Sequence, residues 1–198
     1  MMPPEIAAFA KGISVFALPV IFAVTLHEAA HGFVAYKLGD DTAWKMGRVT
    51  FNPIKHIDLF GTIILPLLLL LASFTAGGLF MFGYAKPVPV RFDRLNHPRR
   101  DMVWVALAGP ATNGALAILS AVLLYAVPFL PALLQSWTMY NLIYSIEFNI
   151  IIGLFNMIPL PPLDGGRVAV GLLPDVLAIP LARTERYSML ILITLLFF

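Results

Sequence analysis

The sequence predicts an all-α integral membrane protein folded as one compact helical bundle. Three observations carry that prediction. First, 60% of the residues are hydrophobic and only 12% charged, against about 45–50% and about 25% in soluble domains, so there is too little charge to cover a water-facing surface. Second, the apolar residues fall in runs long enough to cross a hydrocarbon core of about 30 Å. Third, the basic residues gather in the connections between those runs, as in cytoplasmic loops. The net charge of +2 gives no signal for nucleic acid. Cysteine is absent, so disulfides and thiolate metal sites are excluded, and any metal must be held by His, Asp or Glu.

The first helix is predicted over Ile6–Leu38. Lys11 interrupts it near its start and can snorkel to the interface. At 1.5 Å per residue, Ala8–His31 already covers about 35 Å. The preceding Met-Met-Pro-Pro-Glu has no basic n-region and no small-residue cleavage site, so this helix is expected to be retained. Residues Thr42–Asp58 are polar and mixed, and Arg48-Val49-Thr50-Phe51 alternates like a short strand. Gly61–Gly83 contains no charge and is long enough to span, but Pro66 and the Gly77-Gly78 pair break its regularity. Tyr84–Arg100 is basic. Within it Lys86–Val90 must be extended, because Pro87 and Pro89 forbid a helix. A second apolar helix is predicted over Met102–Val127, then a connection through Pro128, Pro131 and Gln135–Asn141. A third runs over Leu142–Met157 with Glu147 as its single charge. Val168–Arg186 is shorter and moderately amphipathic, and Met189–Phe198 amounts to about half a span.

Chemistry enters at His27-Glu28-Ala29-Ala30-His31. Ile13–Leu26 carries no charge, so three ionisable groups follow directly on a membrane-type helix. Such groups are costly at membrane depth and are usually there for function. In a helix His27 and His31 share one face and can hold a zinc ion, with Glu28 beside it to take a proton from a bound water. A catalytic zinc site needs a third protein ligand. Asp164 is the best candidate: it follows an apolar helix and a proline-broken stretch, and Gly165 and Gly166 allow close backbone approach. Asp is equally a favoured helix N-cap, and Glu147 is a rival ligand. His56 and His97 sit in basic loops and read as loop or substrate-contact residues.

The ligand reading constrains topology. The basic side at Lys37 is cytoplasmic by the positive-inside rule, as is the basic stretch 84–100. Gly61–Gly83 therefore cannot be one simple crossing. It is expected to enter and return as a membrane-associated re-entrant or short β segment between the first and second core helices. Only then does Asp164 arrive level with His31.

These residues resemble the site-2 proteases, intramembrane zinc metalloproteases, and among them the minimal prokaryotic members without PDZ or CBS domains. The resemblance rests on His27-Glu28-x-x-His31, on Asn156-x-x-Pro159-x-x-Pro162-Leu163-Asp164-Gly165-Gly166-Arg167 and on Ala108-Gly109-Pro110-x-x-Asn113. Asn52–Asp58 and Gly83–Pro89 also look like segments of the small members. It implies one zinc ion held by His27, His31 and Asp164, with Glu28 as catalytic acid/base. Asn113, Asn156 and His56 would steady the substrate carbonyl or the ligand loops. It implies a single metalloprotease domain over 1–198 with its core at about 6–167, a multi-pass place in the prokaryotic inner membrane, and an active site facing the cytoplasm. The substrate would be a transmembrane-helix protein, cut within or near its helix; nothing in the sequence indicates an oligomer. The alternative is a membrane transporter or scaffold that binds metal without hydrolysis. Transport would favour further acidic residues along the helices, and only Glu147 is available.

Overall fold

A computed structural model describes residues 4–65, 68, 85–187, 191 and 194. Every regular element among them is helical. Helix α1 spans Pro4–Lys37, within two residues of the expected bounds. It closes in a Schellman motif: Gly39 adopts φ +110°, and Asp40 N–H and Gly39 N–H donate to Ala35 O and Tyr36 O. Asp40 is fully buried. Its carboxylate accepts from Thr42 N–H and from Arg91 N–H, at 3.0 and 2.7 Å.

The short helix α2, Thr42–Lys45, is followed by bends rather than by the strand expected at Arg48–Phe51. The backbone there is used locally. Thr50 O accepts from His56 Nε2, and Asn52 Oδ1 accepts from Ile54 N–H to start a 3₁₀ turn over Pro53–His56. No strand is present among the described residues to pair with it. Asp58 Oδ1 then accepts from Gly61 N–H at the head of a π-helical turn, Leu59–Ile64. Most of Gly61–Gly83 lies outside the described residues, and with it the re-entrant or β segment expected there. What is described is that its flanks meet: Lys86 N–H donates to His56 O at 2.9 Å.

Helix α3, Pro98–Leu124, starts four residues before the predicted Met102. Pro98 occupies its first position, and the buried Asp101 carboxylate accepts from His97 N–H at 2.8 Å. Helix α4, Ala132–Asn156, starts ten residues before the predicted Leu142. The polar run Gln135–Asn141 reads as a loop but is helical: Gln135 Nε2 donates to Leu130 O just ahead of the helix, and Asn141 Nδ2 donates back to Trp137 O one turn earlier. Two shorter helices follow, α5 at Asp164–Leu172 and α6 at Asp175–Arg183. Met189–Phe198 falls outside the described residues apart from two positions.

Ser14–Lys37 of α1, α3 and α4 are each long and apolar enough to cross a membrane. Helix α3 runs antiparallel to the other two. Asn96 N–H donates to Leu38 O, setting the start of α3 beside the end of α1. Trp137 Nε1 donates to Ser14 Oγ at 2.9 Å. The Phe16 ring lies 4.9 Å from both Tyr144 and Phe148, so α1 and α4 start side by side. Small buried residues on α1 and α3 (Ala23, Ala29, Ala35, Ala106, Gly109) let the backbones close together. Helix α5 folds back under α3, where Arg99 pairs with Asp175 at 2.7 Å and donates to Gly171 O.

Candidate metal centre

His27 and His31 lie ten and six residues before the end of α1, about 15 and 9 Å inside it along the axis. Both rings are buried, at 5% and 9% exposure. Asp164 opens α5. Its alternative role as a helix cap does not hold: Leu163 is the N-cap, and no side chain caps the helix. The Asp164 carboxylate instead faces the rings, with Oδ2 3.2 Å from His27 Nε2 and 3.3 Å from His31 Nε2. The two Nε2 atoms are 3.0 Å apart. The rival Glu147 is exposed on α4 and takes no part in this group.

Proton placement decides what the cluster can do. His31 Nδ1 is 2.7 Å from Val105 O, which can only accept, so Nδ1 carries the proton. His27 Nδ1 is 2.6 Å from Asn113 Oδ1, with the same consequence. In its neutral form each ring then turns the Nε2 lone pair inward. The third atom, Asp164 Oδ2, is buried and has no hydrogen-bond donor. Three lone-pair atoms converging without a proton repel one another unless a cation sits among them, and two His nitrogens with one carboxylate oxygen suit zinc.

The backbone makes room for this meeting. A Cβ on Gly109 of α3 would overlap His31 Nε2 and the His27 ring. Gly109 and Asn113 stand one turn apart, so a single face of α3 both admits the two imidazoles and orients one of them. Pro110 has no N–H to return to Ala106, which removes a rung of the helix in the turn that offers Val105 O to His31. Gly165 and Gly166 serve close approach as well. Both are helical, and a Cβ on either would overlap the backbone of Met157–Pro161.

Glu28 points to the other side of the cluster, where its Oε2 accepts from Val88 N–H at 2.7 Å. The extended stretch that carries Val88 is tied along its length. Arg48 donates to Lys86 O at 2.8 Å and to Pro87 O at 3.3 Å, and Asp40 takes Arg91 N–H. Gly32, one turn after Glu28, lets the stretch lie close, since a Cβ there would come within 2.9 Å of Val49 and 3.0 Å of Val88. The N–H groups of Lys86, Val88 and Arg91 are thus engaged within the chain, and Pro87 and Pro89 have none. These contacts hold Glu28 and tie the loops on either side of it. Replacing Val88→Pro keeps the extended geometry but deletes the donor to Glu28. The expected result is about a 10-fold to 100-fold loss of turnover with metal content unchanged, since small misplacements of a catalytic group carry costs of that order. A single-turnover assay beside a metal count checks it.

The remaining sequence candidates are placed apart from the three converging atoms. Asn156 donates to Ile152 O in its own helix at 3.0 Å. His56 is buried in the 3₁₀ turn, with Nε2 donating to Thr50 O. Asn113 lies on the far side of His27 from Asp164. Residues the sequence reading passed over are Gly109 as a packing requirement, Asp40, Arg48, the Val105 carbonyl and Asn149. A polar residue in an apolar span was the available signal for Asn149.

Comparison with known proteins agrees with this geometry. The model of the family described as peptidase family M50 matches residues 15–146 and 131–198. The chain belongs to peptidase family M50, the site-2 proteases. Among curated M50-like relatives, it is 39% identical over 183 residues to the protein named putative zinc metalloprotease YwhC of Bacillus subtilis (strain 168), covering 90% of this chain and 78% of that one. It is 29% identical over 188 residues to putative zinc metalloprotease Rip2 of Mycolicibacterium smegmatis, covering 93% of this chain and 68% of that one. An archaeal relative from Methanocaldococcus jannaschii, also named a putative zinc metalloprotease, is 32% identical over 142 residues, covering 72% of this chain and 62% of that one. No solved structure matches the chain.

Proposed function

We propose that this M50 protein is an intramembrane zinc endopeptidase that cuts membrane-protein substrates within or near a transmembrane helix. The observation that carries the reading is the meeting of His27 and His31, on a membrane-type helix beside Glu28, with Asp164, contributed more than 130 residues later. His27 Nε2, His31 Nε2 and Asp164 Oδ2 would hold the ion. When bound, zinc supplies a water acidified towards neutral pH and Lewis-acid stabilisation of a carbonyl oxygen. The chain's own residues do the rest. Glu28, held through Oε2 by Val88 N–H, takes the proton of the attacking water on its other oxygen. It then returns that proton to the departing amide nitrogen as the peptide bond breaks.

A helical substrate must unwind locally before its carbonyl can be attacked, because helix carbonyls are already hydrogen-bonded. Lys37 at the end of α1, with Lys45 and Arg48 just beyond it, supports by the positive-inside rule a site near the cytoplasmic face of a prokaryotic inner membrane.

The test is cleavage of a transmembrane-helix substrate by the purified protein in lipid, with the metal counted by element-resolved emission. Asp164→Ala is expected to lose the bound metal and cleavage together, and a zinc chelator to stop the native protein. Cleavage by metal-free protein, or Asp164→Ala with full zinc, would overturn the reading.

A further inference from the structure

The polar chain behind His27 does not stop at Asn113. Asn113 Nδ2 donates to Asn149 Oδ1 on α4 at 2.8 Å. Asn149 Nδ2 in turn donates to Ser145 O at 2.8 Å and to Ser145 Oγ at 3.3 Å. Ser145 Oγ meets Ser120 Oγ of α3 at 2.8 Å. Asn113 is 0% and Asn149 2% exposed, in a bundle where a buried amide left without a partner is costly.

The polarity of this chain is fixed from its far end. Ser145 O is a carbonyl and can only accept, so Asn149 must turn its NH₂ towards it and its oxygen towards Asn113. Asn113 must then offer NH₂ to Asn149 and oxygen to His27. His27 is left as the donor at Nδ1 and bare at Nε2, the nitrogen that faces Asp164 and His31. His31 reaches the same state in one step, from Val105 O. For His27 it comes through Asn113, whose Nδ2 is held by Asn149 Oδ1 at 2.8 Å and, at the longer distance of 3.4 Å, by Ala23 O of α1.

We propose that Asn149 is a positioning residue for the metal centre: backed by the Ser145 carbonyl, it sets the tautomer and ring orientation of His27 through Asn113. The proposal rests on His27 being a metal ligand, and its test separates the two. A polar pair between membrane helices can also act simply as packing glue. Glue alone would move stability and leave the imidazole untouched.

The experiment uses ¹⁵N-histidine-labelled, metal-free protein in lipid bilayers at alkaline pH, read by solid-state NMR, with His27 assigned from the signal lost in His27→Gln. The native protein is expected to show His27 protonated at Nδ1 and bare at Nε2. Asn149→Leu, close in volume but without hydrogen bonds, is expected to shift His27 towards the Nε2-protonated form. It should also weaken Co²⁺ binding by about 10-fold in chelator competition, in line with outer-shell changes at other metal sites. Ser120→Ala removes a contact between α3 and α4 but leaves the path from Ser145 O to His27 whole, and is expected to change neither readout. An Nε2-protonated His27 in the native protein overturns the proposal even if Asn149→Leu fails to fold. So does a folded Asn149→Leu with native tautomer and native Co²⁺ affinity, whatever its stability. A native protein with the expected tautomer that binds no Co²⁺ would sink the metal reading and leave the relay standing.

Discussion

Glu28→Gln is expected to reduce peptide-bond cleavage by about 10²-fold to 10⁴-fold, the range for loss of a positioned acid/base, while the metal stays bound at one ion per chain. The separation follows from where Glu28 sits. It is not one of the three converging atoms, so the amide leaves the ion's ligands unchanged. Its Oε2 accepts from Val88 N–H at 2.7 Å, and an amide oxygen can accept the same bond. The side chain, the extended stretch over it and the Arg48 clamp should therefore all persist. What disappears is the capacity to take and return a proton. Substrate affinity should change little, because the loss falls on the step that moves protons. The measurement is single-turnover cleavage beside a metal count on the same preparation. Full activity in Glu28→Gln would remove Glu28 from the chemistry; loss of metal would mean that Glu28 acts structurally.

The reach of the sequence differed between local pattern and long-range pairing. The three long helices were legible because uncharged runs of membrane length have few other uses. Their starts were misread where polarity was taken for a loop: Gln135–Asn141 is helical, with its side-chain amides finding nearby backbone carbonyls, and Arg99 and Arg100 lie inside α3 because Pro98 can begin a helix. Alternation at Arg48–Phe51 suggested a strand, yet alternation records only which sides are polar, and no partner strand is described. In the site, spacing alone placed His27, Glu28 and His31 on one helix. Charge parity then demanded that Asp164 end on the same side, which the contact between Leu38 and Asn96 and the Asp164–histidine distances match. Nothing in spacing could show that Val105 O and Asn113 fix the ring tautomers, or that Val88 N–H is what Glu28 leans on. Those are backbone and cross-helix contacts over 60 to 86 positions of sequence, and only the packed bundle brings them together.

Gly109→Ala should strike the metal centre directly. The added Cβ would overlap His31 Nε2 and the His27 ring, and neither ring is free to swing away. His27 is held at Nδ1 by Asn113 and His31 by Val105, both on α3, the helix that would carry the new methyl. Relief therefore requires α3 to separate from α1, or the rings to give up the hydrogen bonds that turn their lone pairs inward. Separation costs about 1–3 kcal/mol of stability, as overpacking usually does. Reorientation of the rings removes two of three ligands, so metal affinity is expected to fall by about 100-fold or more, at or beyond the upper end for changes behind a metal site. Gly114→Ala is the matched control. It lies on the same helix, nothing stands within 4 Å of its Cβ position, and a Gly→Ala change inside a helix is worth up to about 1 kcal/mol in its favour. Thermal unfolding of the two variants in the same lipid should move in opposite directions, while metal titration should change for Gly109→Ala alone. A Gly109→Ala protein that binds zinc as tightly as the native chain would mean that the histidines do not approach α3 as closely as their hydrogen bonds to Asn113 and Val105 require.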